Sequence, residues 1–221
     1  MPNFSQARQN MICCQLKTWG ILDSALLNLM SHTQREKFVP KAYEHLAYAD
    51  TELPILQDQK MLPPKTLARA IQALEIKPTD HILEIGSGSG YSTLLLSRLA
   101  HKLTSIEIRP ELFALTKKNL EAFAPHNIEL ILANGALGHP DNPDKVFDKI
   151  LITASYAECI PAALIHQLNL GGKLFAFVGH APVQQAILLS KLQNNTVIQE
   201  SLFETMVMPL IDAPIDPRFH F

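Results

Sequence analysis

Short apolar runs alternate with segments of helical periodicity along the chain after residue 79. Such runs are typical of strands buried on both faces of a parallel sheet, and the periodic segments between them are typical of crossover helices. The last two runs are expected to pair like a hairpin, which adds an antiparallel element at the C-terminal edge. The pattern therefore predicts an α/β fold with a doubly wound, mostly parallel sheet of seven strands. The predicted strands cover residues 81–85, 103–108, 128–132, 149–153, 174–178, 185–192 and 202–208, with helices at 92–100, 110–123 and 161–168 and a turn at 171–172.

The first 78 residues are predicted to form a helical extension ahead of the sheet. Apolar residues recur at helical spacing over 6–19 and stop at Gly20, and Asp23 is placed to cap a second short helix. A third helix is predicted over 66–74, whereas residues 56–64 have no clear period and are predicted to be a loop. We therefore expect an extension over 1–78 and a sheet domain over 79–221, joined in one structural unit.

Composition restricts the function classes. The chain has 221 residues, 47% of them hydrophobic and 18% charged, so a sizeable core is available. The net charge is −2 with no basic block, which argues against a nucleic-acid groove or an anionic membrane surface. No apolar run is long enough to span a bilayer, and the first residues lack the apolar core of a signal peptide.

Cysteine and histidine usage adds two expectations. The three cysteines have no spacing typical of a disulfide framework, which favours a reducing compartment, and a cytoplasmic location is expected. None of the nine histidines has a second histidine or a cysteine at metal-ligand spacing, so no metal site is predicted. His81 and His180 are interpreted as structural or loop residues in preference to catalytic bases.

The strongest chemical signal is a glycine turn between the first strand of the sheet and the helix after it. Gly86, Gly88 and Gly90 stand at alternate positions, and such a turn exposes backbone amides to a nucleotide-like ligand. The third glycine comes one residue too early for a dinucleotide fingerprint. Glu84 would repel a pyrophosphate and suits a cationic or amine-bearing ligand. An NAD-dependent dehydrogenase is therefore disfavoured, and an ordinary glycine-rich turn is the remaining alternative.

Glu107 supplies a second signal. It closes the second strand about 20 residues after the glycine turn, where a carboxylate can accept hydrogen bonds from both hydroxyls of a ribose. Nucleotide sites of several kinds share this acid, so it does not choose the ligand. The alternative is a solvated acid at the end of a strand.

The glycine turn resembles the cofactor loop of S-adenosylmethionine-dependent methyltransferases. This resemblance implies that the loop carries the methionine part of the cofactor, with Glu84 near its positive end. It also implies that Asn134 accepts a hydrogen bond from the adenine amino group, a role in which methyltransferases often have an acid. An Asn-Gly turn explains Asn134 and Gly135 equally well. The predicted cofactor-binding residues are Glu84, Gly86, Ser87, Gly88, Gly90, Glu107, Asn134 and Gly135.

Several further blocks occur in the order found in one particular family. From Met11 onward the chain is similar to the protein-L-isoaspartate O-methyltransferases. The resemblance implies a Rossmann-like fold and transfer of a methyl group from S-adenosyl-L-methionine to the free α-carboxyl of isoaspartyl residues in damaged proteins. S-adenosyl-L-homocysteine is then the product, and isoaspartyl proteins or peptides are the partners. The blocks are Arg35-Glu36-Lys37-Phe38-Val39-Pro40, Leu53-Pro54-Ile55, 84–91, 147–154, Leu170-Gly171-Gly172-Lys173-Leu174 and Met208-Pro209-Leu210.

The chain departs from this family in the loop that the resemblance assigns to the methyl acceptor. Family members usually read Gly-x-Gly-Gln-Thr-Ile-Ser there, and this chain keeps Gln59 but has Lys60 and Leu62 at the Thr and Ser positions. Lys60 either pairs with an acceptor carboxylate or extends into solvent, and solvation is favoured.

Three functions follow from this departure: isoaspartyl methyl transfer, transfer to another acceptor, or cofactor binding without turnover. An acceptor that must lose a proton needs a base, and His180 and Asp58 are the candidates.

Overall fold

A computed structural model of the chain describes residues 3–56 and 58–214. Residues 1–2 and 215–221, which belong to the ends of the two predicted parts, and residue 57 of the predicted loop lie outside the described residues. None of the described helices is long and apolar enough to cross a bilayer. The three cysteines are exposed and unpaired.

The helices form the N-terminal extension and flank the sheet. The first helix runs without a break from α-helical into π-helical and 3₁₀ geometry and ends at Gly20, whose φ of 78° is the left-handed conformation that glycine adopts readily. The Asp23 carboxylate caps the second helix by accepting from the Leu26 amide at 3.0 Å. The helices are α1 (Phe4–Asn10, continued by Met11–Leu16 and Lys17–Trp19), α2 (Ser24–His32), α3 (Pro64–Leu74), α4 (Tyr91–Leu99), α5 (Pro110–Glu121) and α6 (Ala162–His166), with 3₁₀ turns at Arg35–Phe38 and Lys41–Leu46.

The strands form a two-stranded hairpin and a central sheet of seven strands. The order in the large sheet is β5-β4-β3-β6-β7-β8-β9, with β8 antiparallel to both neighbours and the remaining pairs parallel. The predicted doubly wound, mostly parallel fold is confirmed. The strands are β1 (Leu53–Pro54), β2 (Lys60–Met61), β3 (His81–Ile85), β4 (Lys102–Glu107), β5 (Ile128–Leu132), β6 (Phe147–Tyr156), β7 (Leu168–Val178), β8 (Gln184–Lys191) and β9 (Val197–Thr205).

The strand order reverses at β3, because β4 lies on one side of it and β6 on the other. In open α/β sheets a crevice forms at the carboxyl ends of the strands at such a reversal, and ligands bind there. The topology therefore places the glycine turn after β3 at the edge where a ligand site is expected.

Two local predictions were wrong. The predicted loop over 56–64 contains β2, which pairs with β1 through Leu53 opposite Met61 and Pro54 opposite Lys60; two residues per strand are too few to give a periodic signal. The predicted turn Gly171-Gly172 lies inside β7, in an irregular stretch that separates the pair Phe147–Leu168 from the next pair of the two strands. A β-bulge explains why these glycines look like a turn in the sequence.

The extension and the sheet share one hydrophobic cluster. It includes Met11 and Leu16 of the extension, Leu67 of α3, Leu94 of α4 and Phe177 of β7, all of them buried. The expected boundary at residues 78 and 79 falls in the turn between α3 and β3. The extension thus packs into the same hydrophobic cluster as α4, the helix that follows the glycine turn.

His81 lies at the amino end of β3, at the opposite end of the strand from the glycine turn. Its ring is half-buried, and Nε2 lies 3.0 Å from the Thr104 hydroxyl. Burial, reinforced by Lys102, lowers the pKa of His81 from 6.5 to about 4. A base whose pKa is lower in the folded state binds a proton preferentially in the unfolded state, so stability falls as the pH drops from 6.5 towards 4.

We therefore expect replacement of His81 by Gln to flatten the acid limb of the stability curve. The wild type should lose about 1–2 kcal/mol of unfolding free energy through this group over that range, a figure reduced for the partial exposure of the ring. Urea unfolding at intervals between pH 4 and 7 measures the slope. His101→Gln, at an exposed position beside β4, is the control. An unchanged slope in His81→Gln would contradict this account.

Candidate active site

A cleft that is partly open to solvent lies at the carboxyl ends of β3, β4 and β6, with about 700 Å³ of empty space when the solvent at its mouth is included. Eight of the eleven residues predicted from the sequence line it: Gln59, Lys60, Leu62, Gly86, Gly88, Glu107, Asn134 and Gly135. Glu84, Ser87 and Gly90 do not line it. The strand reversal and the glycine turn thus meet at one site, and of the three residues outside its lining Ser87 lines a smaller cleft beside it.

Gly86 fixes the position of the turn against β6. Its φ is +90°, and a Cβ atom added to it would lie 2.4 Å from Thr153 Oγ1. The same hydroxyl lies 2.8 Å from the Gly86 carbonyl and 3.1 Å from the Ile85 carbonyl and donates to this pair of oxygens. Any side chain larger than hydrogen would push the turn away from Thr153. Thr153 was not predicted as a site residue, although a polar residue at the end of the apolar run of β6 is a visible signal in the sequence.

Ser87 and Gly90 hold the turn from behind. The Ser87 hydroxyl is buried and lies 2.8 Å from that of Thr116 in α5. Gly90 precedes α4 and packs against Thr116, and the Leu94 amide donates to its carbonyl at 2.9 Å. Ser87 and Gly90 therefore hold the glycine turn against α5.

Glu84 is fully buried behind the turn. Its carboxylate accepts hydrogen bonds from Ser92 at 2.5 Å, Thr93 at 2.6 Å and Ser105 at 2.6 Å. Burial raises the pKa of Glu84, and these three hydrogen bonds oppose the rise. In this structure the carboxylate joins β3 to α4 and β4, so contact with the positive end of a ligand is not part of the geometry.

Glu107 lies at the cleft wall, at the carboxyl end of β4. One carboxylate oxygen accepts from the Gly88 amide at 3.0 Å, and the other accepts from the Arg109 amide at 3.1 Å. The carboxylate therefore reaches across from β4 to the glycine turn. A carboxylate on the wall of a cleft can also accept two hydroxyl donors from a vicinal diol.

Asn134 and Gly135 follow β5 at the far side of the cleft. The Asn134 side chain accepts from the Ala136 amide at 2.8 Å, which is an Asx turn. Gly135 has no positive φ, and a Cβ there would lie 3.1 Å from Ile106 and 3.2 Å from Ile85. The glycine is therefore explained by close packing on β3 and β4. Asn134 thus forms an Asx turn and also lines the cleft.

The β1–β2 hairpin covers the cleft from the side of the extension. Its tip is closed by the Ile55 amide, which donates to the Gln59 carbonyl at 2.8 Å. Asp58 has a φ of 63°, at the position where the family pattern has glycine. Aspartate tolerates this conformation better than most residues, so the hairpin keeps its shape without that glycine.

Buried Arg35 fixes the base of the hairpin. Its guanidinium donates to the Ala47 carbonyl and to the Leu62 carbonyl, both at 2.8 Å, and stacks on the Tyr91 ring with 4.8 Å to the centroid. Tyr91 is the first residue of α4, directly after the glycine turn. Arg35 thus connects the hairpin to the residue that follows the glycine turn.

Lys60 is neither free in solvent nor buried. Its ammonium pairs with Glu52 at 3.0 Å, the side chains being 41% and 21% exposed, and both residues line the cleft. Leu62 also lines it, with an apolar side chain where the family pattern has serine. Lys60 is exposed, as expected for a side chain that extends into solvent, and its ion pair with Glu52 was not predicted.

The C-terminal segment forms the remaining wall, which sequence analysis did not anticipate. Residues 208–211 line the cleft, and the Leu210 amide donates to the Ser155 carbonyl at 2.8 Å.

His180 and Asp58, the candidate bases for a neutral acceptor, are exposed and lie outside the lining. Among the described lining residues the ionisable groups are Glu52, Lys60 and Glu107. Of the described histidines, cysteines, aspartates and glutamates, no three cluster to hold a metal ion.

The Gly86–Thr153 contact predicts a specific stability pattern. Gly86→Ala should lower the unfolding free energy by about 3 kcal/mol, because alanine is strained at the positive φ of this position and its methyl group overpacks the contact with Thr153. Gly20→Ala is the matched control: its φ is +78° and an added Cβ meets nothing within 4 Å, so only the backbone cost of about 1 kcal/mol is expected. Adding Thr153→Ala should recover part of the Gly86→Ala loss in urea unfolding. Equal losses at Gly20 and Gly86 would contradict the steric account.

Comparison with known proteins agrees with the fold and identifies the family. The family model described as protein-L-isoaspartate(D-aspartate) O-methyltransferase (PCMT) matches residues 6–214. Protein-L-isoaspartate O-methyltransferase of Koribacter versatilis is 37% identical over 211 residues, which cover 96% of this chain and 93% of the relative. That of Methanoculleus marisnigri is 39% identical over 184 residues, covering 83% and 82%.

A solved structure has the same fold. It is a putative protein-L-isoaspartate O-methyltransferase of Plasmodium falciparum in complex with S-adenosyl-L-homocysteine, with a TM-score of 0.78 and 23% identity over 95% of this chain and 99% of that one. At this identity the likeness supports the fold alone. The family match and the identities to the curated relatives go further: this chain belongs to the protein-L-isoaspartate(D-aspartate) O-methyltransferase family.

Proposed function

We propose that this chain transfers the methyl group of S-adenosyl-L-methionine to the free α-carboxyl of isoaspartyl residues in damaged proteins and releases S-adenosyl-L-homocysteine. The observation that carries the proposal is the family match over residues 6–214, which includes every element of the cleft. The chemistry of the cleft fits the same reaction.

A carboxylate acceptor suits the ionisable groups of the cleft. A carboxylate is ionised at neutral pH and needs no general base. Of the three ionisable side chains in the described lining, Glu52 is paired with Lys60, and Glu107 accepts two backbone amides. An acceptor that must lose a proton would find no unengaged base among them. The cleft therefore favours an acceptor that arrives already ionised.

The residues at the cleft also fit the cofactor. Glu107 can accept the ribose hydroxyls, Asn134 can accept a hydrogen bond from adenine, and Ile106, Ile108 and Leu112 form an apolar wall. Two carboxylates and one paired lysine are a poor environment for a pyrophosphate, which argues against a dinucleotide. When bound, the cofactor supplies a sulfonium methyl group, whose carbon–sulfur bond breaks as the carboxylate oxygen forms the ester bond.

The protein contributes position and exclusion of water. Gly86, held by Thr153, and Gly88, held by Glu107, define the surface against which the methionine part would lie. The β1–β2 hairpin and the segment 208–211 cover the cleft from two sides. Orientation of the two reactants and removal of water are the expected sources of rate for an in-line displacement.

We assign the two parts of the chain to the two substrates. The extension over 1–78 supplies the acceptor side of the cleft through Gln59, Lys60 and Leu62, and the domain over 79–221 supplies the cofactor side. The exposed, unpaired cysteines fit a reducing, cytoplasmic location.

Methyl transfer to a defined peptide tests the function. Purified protein with isotopically labelled S-adenosyl-L-methionine should form a base-labile methyl ester on an isoaspartyl peptide and none on the same peptide with normal aspartate. No ester at saturating cofactor, with S-adenosyl-L-homocysteine binding intact, would overturn isoaspartyl activity. Transfer to other acceptors in the same assay would then establish a different methyltransferase, and its absence a binding protein.

The role of Glu107 predicts a selective loss of cofactor affinity. In Glu107→Gln one of the two backbone amides faces an NH₂ group, and a charged acceptor for the ribose is lost, so S-adenosyl-L-homocysteine should bind about 10- to 100-fold more weakly. Calorimetry measures the affinity. Glu111→Gln, an exposed acid in the first turn of α5, is the control and should change it less than twofold. Equal affinities for the two variants would exclude Glu107 from the site.

A further inference from the structure

The hairpin carries a cation at a position where the family pattern has a neutral hydroxyl. In the β1–β2 register Lys60 lies opposite Pro54, and both are exposed, whereas Leu53 and Met61 are buried. The strand alternation therefore turns Lys60 away from the core. Its side chain lines the main cleft and the smaller cleft beside it, and both of these are also lined by Gly86, Gly88 and Thr153.

Two other groups could bind an acceptor carboxylate, and each is at a disadvantage. Arg35 lines the smaller cleft and has no partner for Nη1, but it is fully buried, and its Nε and Nη2 donate to two carbonyl oxygens. Gln59 lines the main cleft and offers a neutral amide, whose hydrogen bonds to a carboxylate are weaker than those of an ammonium. Leu62 has no donor. Lys60 is the sole cationic side chain among the described residues of the main cleft.

Lys60 forms an ion pair with Glu52 in this structure. The ion pair has a distance of 3.0 Å and partly exposed partners, and pairs of this kind change an equilibrium constant by about fivefold at most. An incoming carboxylate can therefore replace Glu52 at low cost. Before an acceptor binds, Glu52 neutralises the charge of Lys60. This limits the repulsion between the Lys60 ammonium and the sulfonium of a cofactor in the same cleft.

We infer that Lys60 is the acceptor-binding cation of this chain, exchanging Glu52 for the free α-carboxylate of the isoaspartyl residue. This inference rests on the proposed function. The exchange replaces the two hydroxyls that the chain lacks with one charge-assisted hydrogen bond. Specificity then depends on the acceptor's charge, and the binding of carboxylate acceptors depends on ionic strength.

Binding of matched peptides to the complex of the protein with S-adenosyl-L-homocysteine tests this exchange. One peptide carries the free α-carboxylate at the isoaspartyl position, and the other carries a carboxamide there. The wild type should bind the carboxylate about three- to fivefold more tightly, by calorimetry at low salt, which is the range for a partly exposed ion pair. Lys60→Gln should lose this preference, and Lys60→Arg should keep most of it. Glu52→Gln should bind the carboxylate severalfold more tightly, because Lys60 no longer has to leave a partner.

Lys65→Gln is the matched control, since Lys65 forms a comparable ion pair with Asp50 at 2.7 Å and does not line the cleft. It should bind both peptides as the wild type does. A carboxylate preference that is absent in the wild type or retained in Lys60→Gln would overturn the inference. Methyl transfer is measured separately. Lys60-dependent binding without transfer would overturn the proposed function alone, and transfer with an unchanged preference in Lys60→Gln would overturn this inference alone.

Discussion

The structure of the site depends on the close approach of the glycine turn to β6. Gly86 lies so near Thr153 that a methyl group cannot fit between them, and the Thr153 hydroxyl holds the carbonyl oxygens at the end of β3. This contact joins the two strands between which the sheet order reverses. The cleft exists because the turn is drawn to β6 while β4 supplies Glu107 from the other side.

Polar contacts on both sides of the turn keep it in place. Behind it, buried Glu84 receives three hydroxyls from α4 and β4, so a charge in the core is compensated by hydrogen bonds. In front of it, Glu107 accepts the Gly88 amide. The two acids have different tasks: Glu84 fixes the loop to the core, and Glu107 is available at the surface of the cleft. The sequence indicated that Glu84 would repel a pyrophosphate. In the structure Glu107, and not Glu84, lines the cleft and would exert this repulsion.

Periodicity and spacing predicted most of the sheet, because buried parallel strands are short apolar runs and these do not depend on distant partners. The position of Glu107 was predicted because it lies at the end of one of these apolar runs. The sequence could not predict that the Glu84 side chain is buried behind the turn. This placement depends on hydrogen bonds from Ser92, Thr93 and Ser105, which come together only in the folded structure. The hairpin strand β2 and the wall formed by residues 208–211 were missed because tertiary pairing, not local pattern, creates them. The Lys60–Glu52 pair joins residues on opposite arms of that hairpin and was hidden for the same reason.

A crystal structure of the protein with S-adenosyl-L-homocysteine tests the central claim most directly. The account requires the ligand to lie in the cleft at the carboxyl ends of β3 and β4, with its methionine part on Gly86 and Gly88 and both ribose hydroxyls within hydrogen-bond distance of Glu107. A ligand bound elsewhere, or ribose hydroxyls that are not in contact with Glu107, would contradict it.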